Sequence, residues 1–396
     1  MSLSVTIGLS QNKDAYLAGK EAAYTAYQSL TANKASVAFV FSAIYFNPDK
    51  LLQGIKETMG DTPVVGASGA GIISPAGMDI RGVAVMAIHS EKIKFITVKE
   101  TGLDKKDLRS AGQNLGRQAL KKLGHRPKEA FITFIDGLID NGSKLVDGIE
   151  ESLGRSFPIV GGSSADDLRF NKTYQFFDYE GLSNSAVGVL VSEEAIIKIA
   201  TRHGWKPLGK ARKVTASSGN IIRTIDNRPA ITIYEDYFGK DNLEIRANRL
   251  ISLSIRYPLG MYLEGEKEYL LRNAISAEKD GSLVCQGDVP GGSRLNLMMG
   301  TKKSALEAAA QAAEEIRSTK DKPIQFALVF ESFSRNRLLG RQANKEIATI
   351  KNILGRNTPF IGFYTYGEQA PLTSLNYRGQ SHFHNESIAI LGVGEH

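Results

Sequence analysis

AFITF at residues 130–134, a helix-patterned segment, PIVG at 158–161 and the small-residue corner GSSAD at 162–166 state once what the chain states three times. The earlier copy reads AFVF at 38–41, PVVG at 63–66 and ASGAG at 67–71. The later copy reads ALVF at 327–330, PFIG at 359–362 and FYTYGE at 363–368. Each corner is followed by another apolar run: GVAVMAIHS, SAVGVLVS and SIAILGVG. A unit of strand, helix, strand, loop and strand, repeated along one chain, is an architectural repeat. The short apolar strands alternate little, as expected when a sheet is covered on both faces, and helical crossovers make the paired strands parallel. The fold class is therefore α/β: repeated strand-helix-strand-strand units forming mixed sheets covered by helices, in two lobes. The three post-strand corners are expected to converge on a shared hollow, at the sheet edges where α/β proteins bind ligands.

Outward from the repeats, a strand at 3–9 precedes a helix marked by Ala15, Ala18, Ala22, Ala26 and Leu30. Asn47 followed by Pro48 starts the helix of the first copy, and Asp104 is expected to cap one ending before Gly124. Residues 82–89 and 93–99 read as a hairpin. The middle of the chain changes character: residues 250–296 alternate strands with glycine turns, and Lys279-Asp280-Gly281 reads as a type I′-like hairpin turn. SALEAAAQAAEEI at 304–316 is a helix whose alanine face packs on a sheet. The division expected is residues 1–36 as a strand and helix on the first lobe, 37–210 as one domain and 211–396 as another.

The chain has 396 residues with 42% hydrophobic and 23% charged content, ordinary for a globular protein of more than one core. Its net charge of +7 is spread along the chain rather than gathered in a patch, so solvated faces are expected and no nucleic-acid partner. The single Cys285 allows no intrachain disulfide, which suits a reducing compartment. The N-terminus lacks a basic segment followed by a long apolar one, and no apolar run reaches about 20 residues. A cytoplasmic chain, complete in itself and not inserted in a membrane, is expected.

There is no Walker sequence, and the glycines of 66–71 are wrongly spaced for a dinucleotide fingerprint. Ser68 and Ser163 sit on equivalent corners, outside any G-x-S-x-G elbow, with no base placed beside them by sequence. His382 and His384 share one face of a strand, but no cysteine or carboxylate cluster completes a metal site, and none is expected. Two stretches carry more weight: Glu331-Ser-Phe-Ser-Arg335 and 362–368, GFYTYGE. Arg335, Tyr366, Glu368, His384 and Asn385 converge there as a candidate polar pocket: guanidinium for a carboxylate, Glu for an amine, aromatics for shape. The alternative is an internal Arg–Glu pair that fixes the loops. Arg256 and Arg272, on strand-like segments, join the candidates.

The ordered set TPVVGASGAGIIS, FPIVGGSSADD, HGWKPLGKARKVTASSGN, SIRYPLG, DGSLVCQGDVPGG, VFESFSRNRLLG, GFYTYGEQAP and FHNES resembles the FIST sensory domain family, N-terminal and C-terminal parts, over roughly residues 30–396. The resemblance implies a signal-sensing module that binds small ligands such as amino acids. It also implies a separate output partner, such as a histidine kinase or a cyclic-dinucleotide enzyme. Some members resemble haem-binding nitric-oxide sensors, so haem is an alternative cofactor, with His203 and His384 as candidate ligands. A eukaryotic branch joins the domain to an F-box. The family often carries cysteine before the arginine; here Phe333-Ser334 precede Arg335, which removes thiol chemistry from that position. The leading expectation is a non-catalytic cytoplasmic sensor of an amino acid or related polar metabolite. A haem-based gas sensor and a hydrolase using Ser68 or Ser163 are the alternatives.

Overall fold

A computed structural model describes residues 3–32, 34–242, 245, 250–266, 268–372 and 379–396. Each repeat supplies a parallel pair to the centre of its own sheet: Val37–Ala43 beside Val64–Gly69, Lys128–Ile135 beside Ile159–Ser163, and Phe326–Ser332 beside Phe360–Thr365. On one side of each pair lie two antiparallel strands: Val83–Ser90 then Leu3–Ser10, Ser185–Ser192 then Phe95–Thr101, and Ile388–Glu395 then Ala195–Arg202. The repeat is thus longer than its motifs suggest, because each unit begins with its own edge strand and a first helix.

On the other side each sheet is completed by a hairpin from a different unit. Gln175–Phe177 and Glu180–Leu182 of the second unit extend the first sheet. Glu368–Pro371 and Ser381–His384 of the third extend the second. Ile72–Ser74 and Gly77–Asp79 of the first extend the third. The exchange is cyclic, so none of the three sheets is complete without its neighbour.

The expected hairpin over 82–99 does not form. Val83–Ser90 stays in the first sheet while Phe95–Thr101 opens the second, and Ser185–Ser192 and Ala195–Arg202 part in the same way. Both faces of every sheet demand cover, and a strand that leaves for the next sheet helps bury the inner faces of both.

Alternation sorts side chains between two cores. Phe39 and Phe41 point inward with Phe134, Phe330 and Phe363 into a core shared by all three sheets. Val40 and Val85 point outward beneath the helices Ala15–Gln28 and Pro48–Met59. Leu108–Leu123 and Gly142–Leu153 cover the second sheet; Lys302–Ile316 and Ala343–Leu354 cover the third. Asn47 caps as the sequence suggests and Asn141 caps Gly142–Leu153, but the cap of Leu108–Leu123 is Asp107, whose carboxylate accepts from Ser110 N; Asp104 lies in a short 3-10 turn before it.

The last residue of each PxxG is fixed by close approach. A Cβ on Gly66, Gly161 or Gly362 stands 1.8, 1.9 or 2.0 Å from the carbonyl oxygen of Val40, Thr133 or Val329, its register partner on the parallel strand. No side chain fits such a gap.

The second lobe is an insertion in the third unit, between Ala195–Arg202 and Lys302–Ile316. Its antiparallel strands order as Leu270–Arg272, Leu259–Met261, Arg294–Met299, Lys206–Ser218, Ile221–Ile225, Leu283–Cys285 and Ala274–Ala277, with Arg228–Pro229 on Ile221–Ile225. Leu270–Arg272 and Ala274–Ala277 adjoin in sequence yet hold opposite ends of that order, so the sheet nearly closes at Asn273. The turn at 278–282 is not type I′, because Gly281 alone adopts positive φ. The described elements from Lys302–Ile316 onward return to the first lobe.

Candidate functional site

The three corners do converge, through their backbones. Ala165 N donates to Ser68 O, Ser163 N to Gly367 O, Tyr366 N to Ser163 O, and Ala70 N and Tyr364 N join Tyr364 O and Gly71 O. The space between the sheets is not a hollow. Phe134 packs against Phe39, Phe41, Phe330 and Phe363 with ring centroids 5.6–6.3 Å apart. The shared hollow expected from the repeats is closed by hydrocarbon. Ser68 and Ser163 are sealed at 1% exposure: the Ser68 hydroxyl accepts from Tyr174 N and the Ser163 hydroxyl from Gln369 Nε2. Neither partner is a base.

A cavity of about 610 Å³ lies to one side, where the second and third units meet the inserted lobe. The second unit supplies the loop 137–140 together with Leu168 and Phe170. The third supplies Ser332, Phe333, Ser334, Thr365 and Tyr366 from the carboxyl ends of its parallel strands. The inserted lobe supplies Asn220, Ile251, Ile255, Asn273, Ile275, Val284 and Gln286. At the junction of the first and second units, Tyr45 donates to Asp167 and Arg169 lies over the Tyr45 ring. The inserted lobe supplies one wall of this cavity.

One wall is a strained loop. Asp167, Leu168 and Phe170 all have left-handed φ, at 57°, 60° and 49°, each costing roughly 1 kcal/mol or more. Asp166 holds them, accepting from Phe170 N, Asn171 N, Lys172 N and the Tyr366 hydroxyl. That hydroxyl in turn accepts from Leu168 N. Burial, then the bond to Asp166, pushes the Tyr366 phenol well above its usual range. Phe170, 52% exposed, stacks on Tyr366 at 5.2 Å and forms the rim.

At the inner end, Asn273 Nδ2 donates to Glu386 Oε1 at 2.8 Å, and Asn273 N donates to Asn385 Oδ1. Asn273 Oδ1 and Glu386 Oε2 are buried without hydrogen-bond partners. Burial pushes the Glu386 carboxyl up to about 8, against the Asn273 and Ser334 side chains, and pushes Glu368 up to about 7, against Ser387 and Thr365. Glu368 is fully committed, accepting from Thr365 Oγ1 and from Ser387 N and Oγ.

Of the residues singled out from the sequence, Tyr366 lines the cavity. Arg335 does not: it is fully buried, donating to the His203 and Ala305 carbonyls and pairing with Glu346, with Glu331 at 3.8 Å. This is the internal pair. Burial, then Glu346, holds Glu331 well above the carboxylate range. Arg272 is buried and spends its guanidinium on the carbonyls of Leu271, Phe383 and Asp288. Arg256 is exposed, on the helix Leu250–Arg256 that turns Ile251 and Ile255 to the cavity. Asn385 braces Asn273 from behind. The missed residues, Asn273, Ser334 and Glu386, adjoin singled-out ones: charge drew the eye to Arg272 and Arg335, and burial sent those arginines elsewhere.

A haem needs an axial donor facing an apolar pocket. Among the described residues, the cavity lining holds no His, Cys or Met, and its one tyrosine, Tyr366, has its hydroxyl tied to Asp166 and Leu168 N. His384 Nε2 is tied to the Ala370 carbonyl, and burial pushes its imidazole down to about 3. His203 Nδ1 accepts from Trp205 N and its Nε2 lies 3.0 Å from Glu268. These residues do not fit an axially ligated haem.

Against family models, residues 36–228 match the FIST N domain and residues 230–371 the FIST C domain. The chain belongs to the FIST family. FIST domains are associated with sensing in signal transduction. An uncharacterized protein of Methanocaldococcus jannaschii is 24% identical over 212 residues, which is 51% of this chain and 40% of that protein. The chain therefore spans less than half the length of that curated relative. A chorismatase crystal structure aligns over 99% of each chain at 8% identity and a TM-score of 0.37. Among the described residues, no helix of this FIST protein is long and apolar enough to cross a membrane.

Proposed function

We propose that this FIST protein is a small-ligand-binding sensor whose ligand occupies the cavity between the second and third units and the inserted lobe. The observation that carries the reading is the cavity itself: about 610 Å³, lined mainly by apolar and aromatic side chains with a few polar ones among them, the form typical of metabolite sites. It also touches both lobes and a strained loop, so occupancy has something to report through. Cytoplasmic location, suggested by the single Cys285, and output through a separate histidine kinase or cyclic-dinucleotide enzyme, suggested by the family resemblance, belong to the same proposal. An amino acid or related small metabolite remains the ligand class that the family suggests.

A thermal-shift screen of small metabolites on the whole chain tests it, with Val284→Trp as a cavity-filling control. Binding to the native state raises stability. The expected result is at least one compound that raises Tm in the wild type and not in the filled variant. Shifts identical in both, or no shift from any compound, sink the proposal.

A further inference from the structure

The inner end of the cavity holds an acceptor that nothing in the fold satisfies. Asn273 is 4% exposed, and its carboxamide is held by the bond from Nδ2 to Glu386, so the unpartnered Oδ1 is left for something else. Glu386 Oε2 is likewise unpartnered. A buried acceptor left unmade costs about as much as a lost hydrogen bond. Among the described residues, Asp140 is the sole charged side chain in the lining, and it stands at the exposed rim. Among the described residues no lysine, arginine or histidine lines it to receive a carboxylate or phosphate, and the nearby Arg335 guanidinium is fully buried, donating to the His203 and Ala305 carbonyls and paired with Glu346.

We propose that the cavity takes an organic cation: a protonated amine on an apolar body, its N–H groups donating to Asn273 Oδ1, with the Glu386 carboxyl as the negative charge directly behind that amide, and with its hydrocarbon against Ile251, Ile255 and Val284. This rests on the sensor reading and narrows it, excluding ligands that present a free carboxylate to the inner end. The raised Glu386 carboxyl follows from the same desolvation, and a bound ammonium drives it to ionise by supplying the missing opposite charge.

The test is titration calorimetry of the whole chain with three molecules of nearly one shape: 2-phenylethylamine, 2-phenylethanol and 3-phenylpropanoate. The amine is expected to bind about tenfold or more tightly than the alcohol, the margin of a charge-assisted hydrogen bond, and the carboxylate more weakly still. Glu386→Gln removes the charge and keeps the shape, so it should erase most of the amine's advantage while leaving alcohol binding unchanged. If that variant does not fold, Asp140→Asn, at the exposed rim, lowers amine affinity a few-fold in low salt and less in high salt. Equal or tighter carboxylate binding overturns the inference, as does an amine preference that neither variant weakens. If none of the three binds while another compound class binds and is blocked by Val284→Trp, the amine inference fails and the sensor reading survives. If no compound of any class binds, both fail.

Discussion

Asn273, where the inserted sheet nearly closes, donates to Glu386, which follows the last hairpin strand of the third unit, across 2.8 Å of buried space. With the bond from Asn273 N to Asn385 Oδ1, this hydrogen bond joins the two lobes at the inner end of the cavity. Glu386 reaches it from a left-handed backbone position, φ 61°, and non-glycine residues hold such positions only where the surroundings over-determine them.

The buried carboxyls make stability fall with pH. Glu368 and Glu386 have folded-state values raised to about 7 and about 8, above the unfolded value near ~4.3. A raised group contributes its stability fully below the unfolded value and loses it as pH climbs through the folded one. Glu368 costs up to about 1.4 kcal/mol per pH unit between about pH 4.5 and 7, and Glu386 the same between about pH 4.5 and 8. Denaturant midpoints should therefore drop from pH 5 to 8 and level off above. Glu386→Gln should flatten the upper part of that fall; a wild-type midpoint constant across the range contradicts it.

Arg335 should matter to stability and not to ligand recognition. It faces Glu346 and Glu331, all with no exposed surface. Removing one partner of a buried ion pair costs about 3–5 kcal/mol. Arg335→Met should lower the denaturation midpoint by that order, and adding Glu346→Gln should restore part of it. Ligand affinity in the folded fraction should stay within about twofold. A variant that folds as well as wild type but loses binding would return Arg335 to the site.

Much of the fold was legible because repetition is a long-range signal: three PxxG strands, each behind an apolar strand, fixed three parallel pairs. The cyclic exchange of hairpins was not, since Ile72–Ser74 and Gln175–Phe177 are three residues each and carry no mark of which sheet they join. The false hairpin over 82–99 has the same cause: adjacency in sequence is the default for antiparallel strands, and here burial of three inner faces overrides it. The site was half legible. FHNES and SFSRNR contain Glu386 and Ser334, yet a buried arginine and a cavity-lining serine look alike in sequence until the helix at Phe333–Leu339 sends them in different directions.

The PxxG glycines should tolerate nothing. Gly161→Ala brings a methyl to 1.9 Å from Thr133 O, where only backbone can yield. Overpacking of this kind costs about 1–3 kcal/mol or more. Gly161→Ala should lower Tm by several degrees, whereas Gly124→Ala meets no atom within 4 Å and suffers only from its φ of 72°. Equal losses in the two variants would show that backbone conformation, not the approach of the parallel strands, sets the requirement.

The loop over the cavity should be a gate whose latch is Asp166. Its carboxylate takes three backbone N–H bonds and the Tyr366 hydroxyl, and it is 1% exposed. Asp166→Ala leaves those donors unmade around three left-handed residues, so the strained stretch has nothing to hold it. Trypsin should then cut at Arg169 or Lys172 at least about tenfold faster, since cleavage follows the open population and one lost buried bond of this kind exceeds 1.4 kcal/mol. Tyr366→Phe removes one of the four bonds and keeps the ring under Phe170, so it should accelerate cleavage less. A ligand in the cavity should slow cleavage in both variants, because Leu168 and Phe170 form its wall. If cleavage at these two sites is as slow in Asp166→Ala as in wild type, the loop is held by its packing alone and the latch does not exist.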